Sequence, residues 1–134
     1  MLHGSCLCSA VAYEVAAPLE GMHHCHCGRC RKQHGAAFAT YARAPRAAFR
    51  FTRGADLVRS FRSSEQVART FCGTCGANLQ FVHDAVPDAL WIAVASLDDD
   101  PGLRPEAHIF AASSAPWHEI TDGLPRHDEY PPGE

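Results

Sequence analysis

Seven cysteines in three tight groups are the residues of this chain with the most evident chemistry. Sulfurs that lie one or two residues apart are typical of metal sites, and an odd number of cysteines argues against a complete set of disulfides. The spacing therefore predicts bound metal, with zinc the expected ion. The three groups are Cys6 with Cys8, then Cys25, Cys27 and Cys30, and finally Cys72 with Cys75.

Two of these groups suit a closed site with four sulfur ligands. Residues two apart in a strand point to the same side, so Cys6 and Cys8 can offer both sulfurs to one ion. Cys72 and Cys75 enclose a tight turn with a glycine inside it and another just after it, and glycine accepts positive φ without strain. Together the pairs predict a tetrahedral structural zinc site, which in small zinc modules contributes on the order of 10 kcal/mol to folding.

Cys25, Cys27 and Cys30 have no fourth cysteine beside them. Catalytic zinc has three protein ligands and one position for water or substrate, so this group is a candidate for an open site. Two alternatives stay open on spacing alone. The first and second groups could exchange partners. A histidine could also close the three-cysteine site, and the candidates are His23, His24, His26 and His34.

Composition excludes several classes of protein. The chain has 134 residues, 46% of them apolar and 20% charged, which is the composition of one globular domain and not of a disordered chain. No apolar run is long enough for a membrane span, and the first residues do not resemble a secretory signal. We therefore expect the cytoplasm, where thiols stay reduced and serve as metal ligands.

Hydrophobic alternation predicts a mainly β chain. Short strands are expected around Val11–Val15, Val67–Cys72 and Leu79–His83, and the continuous apolar run from Leu90 to Ala95 predicts a central strand. Such close spacing suggests an all-β sandwich or open barrel. Only residues 28–35 are expected to form a helical turn. One domain over residues 1–134 is predicted, with a peripheral tail from about residue 125.

Four segments resemble motifs of the glutathione-dependent formaldehyde-activating enzyme (GFA) family, which also includes centromere protein V. The resemblance runs from about Gly4 to Leu124, nearly the whole chain. The segments are Gly4–Cys8 with Val11–Glu14, Cys25–Gly35, Phe71–Ala77, and a C-terminal set formed by Ala95–Asp99, Pro105, His108–Phe110, Ser114 and Trp117.

The resemblance implies a β-tent fold of stacked antiparallel sheets with little helix, and two zinc ions per chain. The implied reaction joins formaldehyde to glutathione, giving S-hydroxymethylglutathione, and is formally that of a carbon–sulfur lyase. Small thiols and aldehydes are then the expected substrates, with glutathione as co-substrate. The resemblance implies a structural zinc on Cys6, Cys8, Cys72 and Cys75, and a catalytic zinc on Cys25, Cys27 and Cys30.

Basic residues beside the central cysteines are candidate contacts for the two carboxylates of glutathione. Arg29, Arg31 and Lys32 lie within two residues of a predicted ligand. The alternative is that they only offset the negative charge of the zinc–thiolate centre. His34 and His108 are candidate acid–base groups, since histidine titrates near neutrality, or else hydrogen-bonded structural residues.

A second hypothesis is a non-catalytic zinc module that binds a protein or a nucleic acid. Residues 29–69 carry ten basic and two acidic residues, which would permit such a contact. The net charge of −3 and the lack of an extended basic tail argue against nucleic acid. A homodimer is kept as a hypothesis, because the sequence does not define the oligomeric state.

Overall fold

The computed structural model describes residues 1–133, which form ten strands and one α-helix. The prediction of a mainly β fold with little helix is confirmed. No helix within residues 1–133 is long and apolar enough to cross a membrane. The elements are β1 (Leu2–Ser5), β2 (Ala12–Val15), β3 (Glu20–Cys25), α1 (Gly28–His34), β4 (Ala39–Pro45), β5 (Phe49–Arg53), β6 (Val58–Arg62), β7 (Val67–Cys72), β8 (Asn78–His83), β9 (Ala89–Ala93) and β10 (Ala107–Ile109).

The strands form two separate sheets and no barrel. One sheet has the order β1-β2-β5, and the other has the order β10-β3-β4-β9-β8-β7-β6. Every pair is antiparallel except β10 with β3, which is parallel and pairs Ile109 with Cys25. This pairing brings the end of the apolar segment 107–109 beside the first cysteine of the central group.

One hydrophobic core is shared by the two sheets. Val11, just before β2, and Tyr13 and Val15 within it are almost completely buried, which follows from their alternation in the sequence. They pack in one cluster with Leu90 and Ile92 of β9, a strand that lies between β4 and β8. The apolar run at 90–95 therefore does form a central strand, although the chain leaves the sheet at Val94 in a 3-10 turn.

Helix α1 is short and starts at the central cysteines. The Sγ of Cys27 accepts a hydrogen bond from the backbone N–H of Cys30 at 3.4 Å, so a thiol takes the place of the usual N-cap oxygen. Gly35 ends the helix with φ of 59°, a left-handed conformation that suits glycine. The local sequence thus sets both ends of the helix.

The chain after β10 follows the surface and returns to that strand. The backbone N–H of His108 donates to the carbonyl of Pro125 at 2.9 Å, and that of Phe110 donates to the carbonyl of Glu129 at 3.0 Å. Most side chains from residue 121 on are exposed, yet the backbone is hydrogen-bonded as far as residue 129. Trp117, a residue of the C-terminal motif, is 71% exposed and lies in a segment without helix or strand, so it does not pack in the core.

Candidate metal centres

The first cysteine centre joins the two sheets. Cys6 and Cys8 follow β1, whereas Cys72 ends β7 and Cys75 lies in the next turn, and all four Sγ atoms lie within 4.8 Å of one another. The Sγ of Cys8 is 3.6 Å from that of Cys6 and 3.9 Å from that of Cys72. A tetrahedral zinc with bonds of about 2.3 Å places its sulfurs about 3.8 Å apart. The donor set therefore fits a closed zinc site.

Backbone amides support these sulfurs. Cys6 Sγ accepts from Val11 N at 3.2 Å, and Cys72 Sγ accepts from Thr74 N at 3.4 Å. A hydrogen bond from the backbone of Ala77, with others, lowers the pKa of Cys75 to about 6. Amide donors favour the thiolate, which is the form that binds metal.

Gly73 and Gly76, in the 72–76 turn, meet two different structural constraints. Gly76 has φ of 78°, as the turn requires. Gly73 does not have positive φ; instead, a Cβ at this position would lie 2.7 Å from the carbonyl oxygen of Leu57. The expectation of positive φ at Gly73 is therefore wrong, because close approach of another backbone segment excludes a side chain there.

The second centre contains only the three central cysteines. Cys25 ends β3, Cys27 caps α1 and Cys30 lies in its first turn, and their Sγ atoms lie within 4.8 Å of one another. Hydrogen bonds from Cys25 and Cys30 hold the pKa of Cys27 far below that of an ordinary thiol. Because Cys6 and Cys8 lie with Cys72 and Cys75 and not with these three sulfurs, the first and second cysteine groups do not exchange partners.

Within residues 1–133, no histidine joins the three-cysteine centre. Each of the four candidates has its ring directed to another partner. The pairs are His23 with Glu106 at 3.6 Å, His24 with Thr40 at 2.7 Å, His26 with His108 at 2.8 Å, and His34 with Tyr41 at 2.8 Å. The donor set thus fits a metal ion with one coordination position left to a ligand from solution.

Arg69 lies at the open centre, although it is not among the residues predicted from the sequence. It is only 7% exposed, and both Nη1 and Nη2 lie 3.6 Å from the Sγ of Cys30. Its Nη1 also donates to Gln33 Oε1 at 2.7 Å, and its Nε donates to Ser63 Oγ at 2.9 Å. A buried cation therefore lies against one sulfur of the open centre, and its charge favours the thiolate form of that sulfur. The available signal was a charged residue two positions from Val67 and Phe71, on an alternating strand that ends in a predicted metal ligand.

The three basic residues of the central motif separate in space. Arg29 and Lys32 line a groove of about 360 Å³ between α1 and the β6–β7 hairpin, and Arg29 Nε donates to the carbonyl of Ser63 at 2.9 Å. Arg31 instead donates from Nε to the carbonyl of His26 at 3.3 Å. Arg31 therefore contacts the backbone between Cys25 and Cys27, and it is not among the residues that line the groove.

The two histidines predicted as acid–base candidates are both hydrogen-bonded to protein groups, His108 in the interior and His34 at a partly buried position. His108 is 1% exposed, with Nδ1 on His26 and Nε2 2.9 Å from a carboxylate oxygen of Asp122. Both ring nitrogens of His108 are thus engaged with protein groups. Burial, more than the nearby charge of Arg69, lowers the pKa of His34. This arrangement gives His108 a structural position behind the cysteine loop.

The fold and its cysteine centres define a class: a mainly β protein with one closed and one open thiolate cluster, both suited to metal ions. The chain belongs to the family described as glutathione-dependent formaldehyde-activating enzyme, whose model matches residues 1–113. A crystal structure of a Rhodobacter sphaeroides protein resembles it with a TM-score of 0.62 and 29% identity, over 77% of this chain and 91% of that one. No curated protein matches the sequence.

Proposed function

We propose that this chain is a zinc-dependent enzyme of the carbon–sulfur lyase type that joins a thiol to formaldehyde, with glutathione as the thiol. The observation that carries the proposal is the three-cysteine centre that no fourth protein ligand closes within the described residues. Family membership supports the pairing of glutathione with formaldehyde. A centre with three ligands and a free position is the arrangement of catalytic zinc.

Zinc in such a centre supplies a position for a thiol sulfur and lowers the pKa of that thiol. The chain's own groups do the rest of the binding and positioning. Cys25, Cys27 and Cys30 would hold the ion, and Arg69 would offset part of their negative charge. The reaction forms one carbon–sulfur bond, and the thiol proton ends on the former carbonyl oxygen.

The groove beside α1 gives glutathione a place to bind. Arg29 and Lys32 line it, as does Arg69, and no acidic residue does. We assign the glutathione carboxylates to Arg29 and Lys32, because charge-assisted hydrogen bonds to carboxylates are among the strong contacts of proteins. Arg31 is assigned to the cysteine loop, because its side chain contacts the carbonyl of His26.

Cobalt substitution tests the proposal directly, because cobalt–thiolate absorption changes when a further sulfur joins the centre. We expect glutathione to strengthen this absorption in the wild-type protein but not in Cys27→Ser. The same preparation should accelerate the exchange between formaldehyde and S-hydroxymethylglutathione. A change in absorption without acceleration would leave a thiol-binding enzyme that acts on another adduct. No change with any thiol would overturn the proposal in favour of a non-catalytic metal module.

A further inference from the structure

Nη2 is the nitrogen of Arg69 that the protein holds most weakly. A guanidinium offers five N–H donors, two on each terminal nitrogen and one on Nε. Nε donates to Ser63, Nη1 donates to Gln33 and Cys30, and Nη2 donates to Cys30. The contact of Nη2 is the long one of 3.6 Å to the Sγ of Cys30, and Tyr41 also lies beside the guanidinium. A carboxylate in the groove can accept a shorter, charge-assisted hydrogen bond from Nη2.

The same guanidinium belongs to the lining of the groove beside α1. The lining contains three cations, Arg29, Lys32 and Arg69, and no acid. Lys32 forms no salt bridge with any residue in the range 1–133. Phe61, which is 65% exposed, and Gln33 complete an apolar and polar rim. An anion with an attached chain matches this combination of charge and apolar surface.

We propose that the groove binds a carboxylate and that Arg69 couples this site to the open thiolate centre, donating to the ligand's carboxylate and to the Sγ of Cys30 at the same time. The inference rests on the proposed function for the metal at that centre and for the carboxylate site in the groove, and what it adds is the role of Arg69. It assigns to Arg69 a role distinct from that of Lys32: Lys32 adds affinity, whereas Arg69 adds affinity and also communicates the occupancy of the groove to Cys30. A carboxylate ligand that lacks a free thiol should therefore still perturb the cysteine centre.

S-methylglutathione is the probe, because it keeps both carboxylates and has no thiol to bind metal. We expect calorimetry to show that it binds the metal-loaded wild-type protein, with affinity reduced about tenfold or more in Lys32→Ala and in Arg69→Met. In the cobalt-loaded protein, saturating S-methylglutathione should shift the absorption of the open centre in the wild type and in Lys32→Ala. It should leave that absorption unchanged in Arg69→Met.

Two control variants separate the proposed role of Arg69 from the effects of misfolding and of a lost surface charge. Arg46→Met removes an exposed arginine whose contact is the carbonyl of Pro87, so affinity should stay at the wild-type value. Arg69→Lys retains the charge without the forked donor and should bind the probe yet lose the spectral shift. Wild-type binding without any shift, or a shift that survives in Arg69→Met, would overturn the coupling. If glutathione changes the spectrum but S-methylglutathione does not bind, the groove is not the carboxylate site in either proposal, whereas thiol binding at the open centre stands.

Discussion

The closed centre should contribute far more to stability than the open one, because it clips together distant parts of the chain. Cys8 and Cys72 are 64 residues apart, and a cross-link over such a loop removes unfolded-state entropy worth about 4 kcal/mol at 25 °C. Cys25 and Cys30 are only five positions apart, a separation for which the same relation gives about 2 kcal/mol. Metal–ligand bond energy adds to both values but the difference in loop length remains.

Cys72→Ser tests this difference against Cys27→Ser. We expect Cys72→Ser to lose about one zinc per chain and at least about 4 kcal/mol of unfolding free energy, which lowers Tm by more than about 10 °C for a chain of this size. Cys72 is also completely buried, so the introduced hydroxyl lies among apolar side chains. Metal analysis and urea unfolding followed by circular dichroism give the two quantities.

Cys27→Ser is the matched control, since it removes one thiol from the other centre at a partly exposed position. It should also lose about one zinc, but it should remain folded and lose only about 2 kcal/mol. Equal losses of unfolding free energy in the two variants would refute the reasoning from loop length. A Cys72→Ser protein that keeps both metal ions would refute the assignment of Cys72 as a ligand.

Two further predictions concern the segments that hold the centres in place. Asp122→Ala should lower the unfolding free energy by about 1–3 kcal/mol, because it leaves the Nε2–H of buried His108 without an acceptor. Asp122→Asn keeps an acceptor and should lose less unfolding free energy. Equal losses for the two variants in a denaturant titration would contradict this explanation. Gly54→Ala should cost more than about 2 kcal/mol in the same assay, because Gly54 has φ of 72° and its added Cβ would lie 2.0 Å from the carbonyl oxygen of Ala10. Gly123→Ala, whose Cβ has no neighbour within 4 Å, should be nearly neutral, and a similar cost at both positions would rule out steric strain as the cause.

The elements and the division of the cysteines could be predicted because they depend on local patterns. Alternation along β2 and the apolar run of β9 record which side chains face the core. The one-residue and two-residue spacings of the cysteines record how a strand or turn directs two sulfurs to one ion. Each of these patterns lies within a few consecutive residues, so it can be recognised without information on tertiary contacts.

Arg69 could not be recognised in this way, because its role depends on a contact with Cys30 across 39 positions of sequence. Arg29 and Arg31 are equally close to the ligands in sequence, and only the direction of each side chain from α1 separates the groove from the cysteine loop. The parallel pairing of β10 with β3 is also a long-range feature. Sequence spacing identifies the candidate metal ligands of a site more readily than the side chains that surround those ligands.

The return of residues 125–129 to β10 has a consequence for self-association. Unpaired backbone groups at the edge of a sheet are a template for strands of other chains. At this edge of the seven-stranded sheet the N–H groups of His108 and Phe110 are already bonded to the carbonyls of Pro125 and Glu129. The opposite edge is β6, where Arg59 and Arg62 are exposed and oppose the approach of a second copy. Two chains that associate would therefore meet through side chains on sheet faces or loops, and not by extending this sheet from one copy into the next.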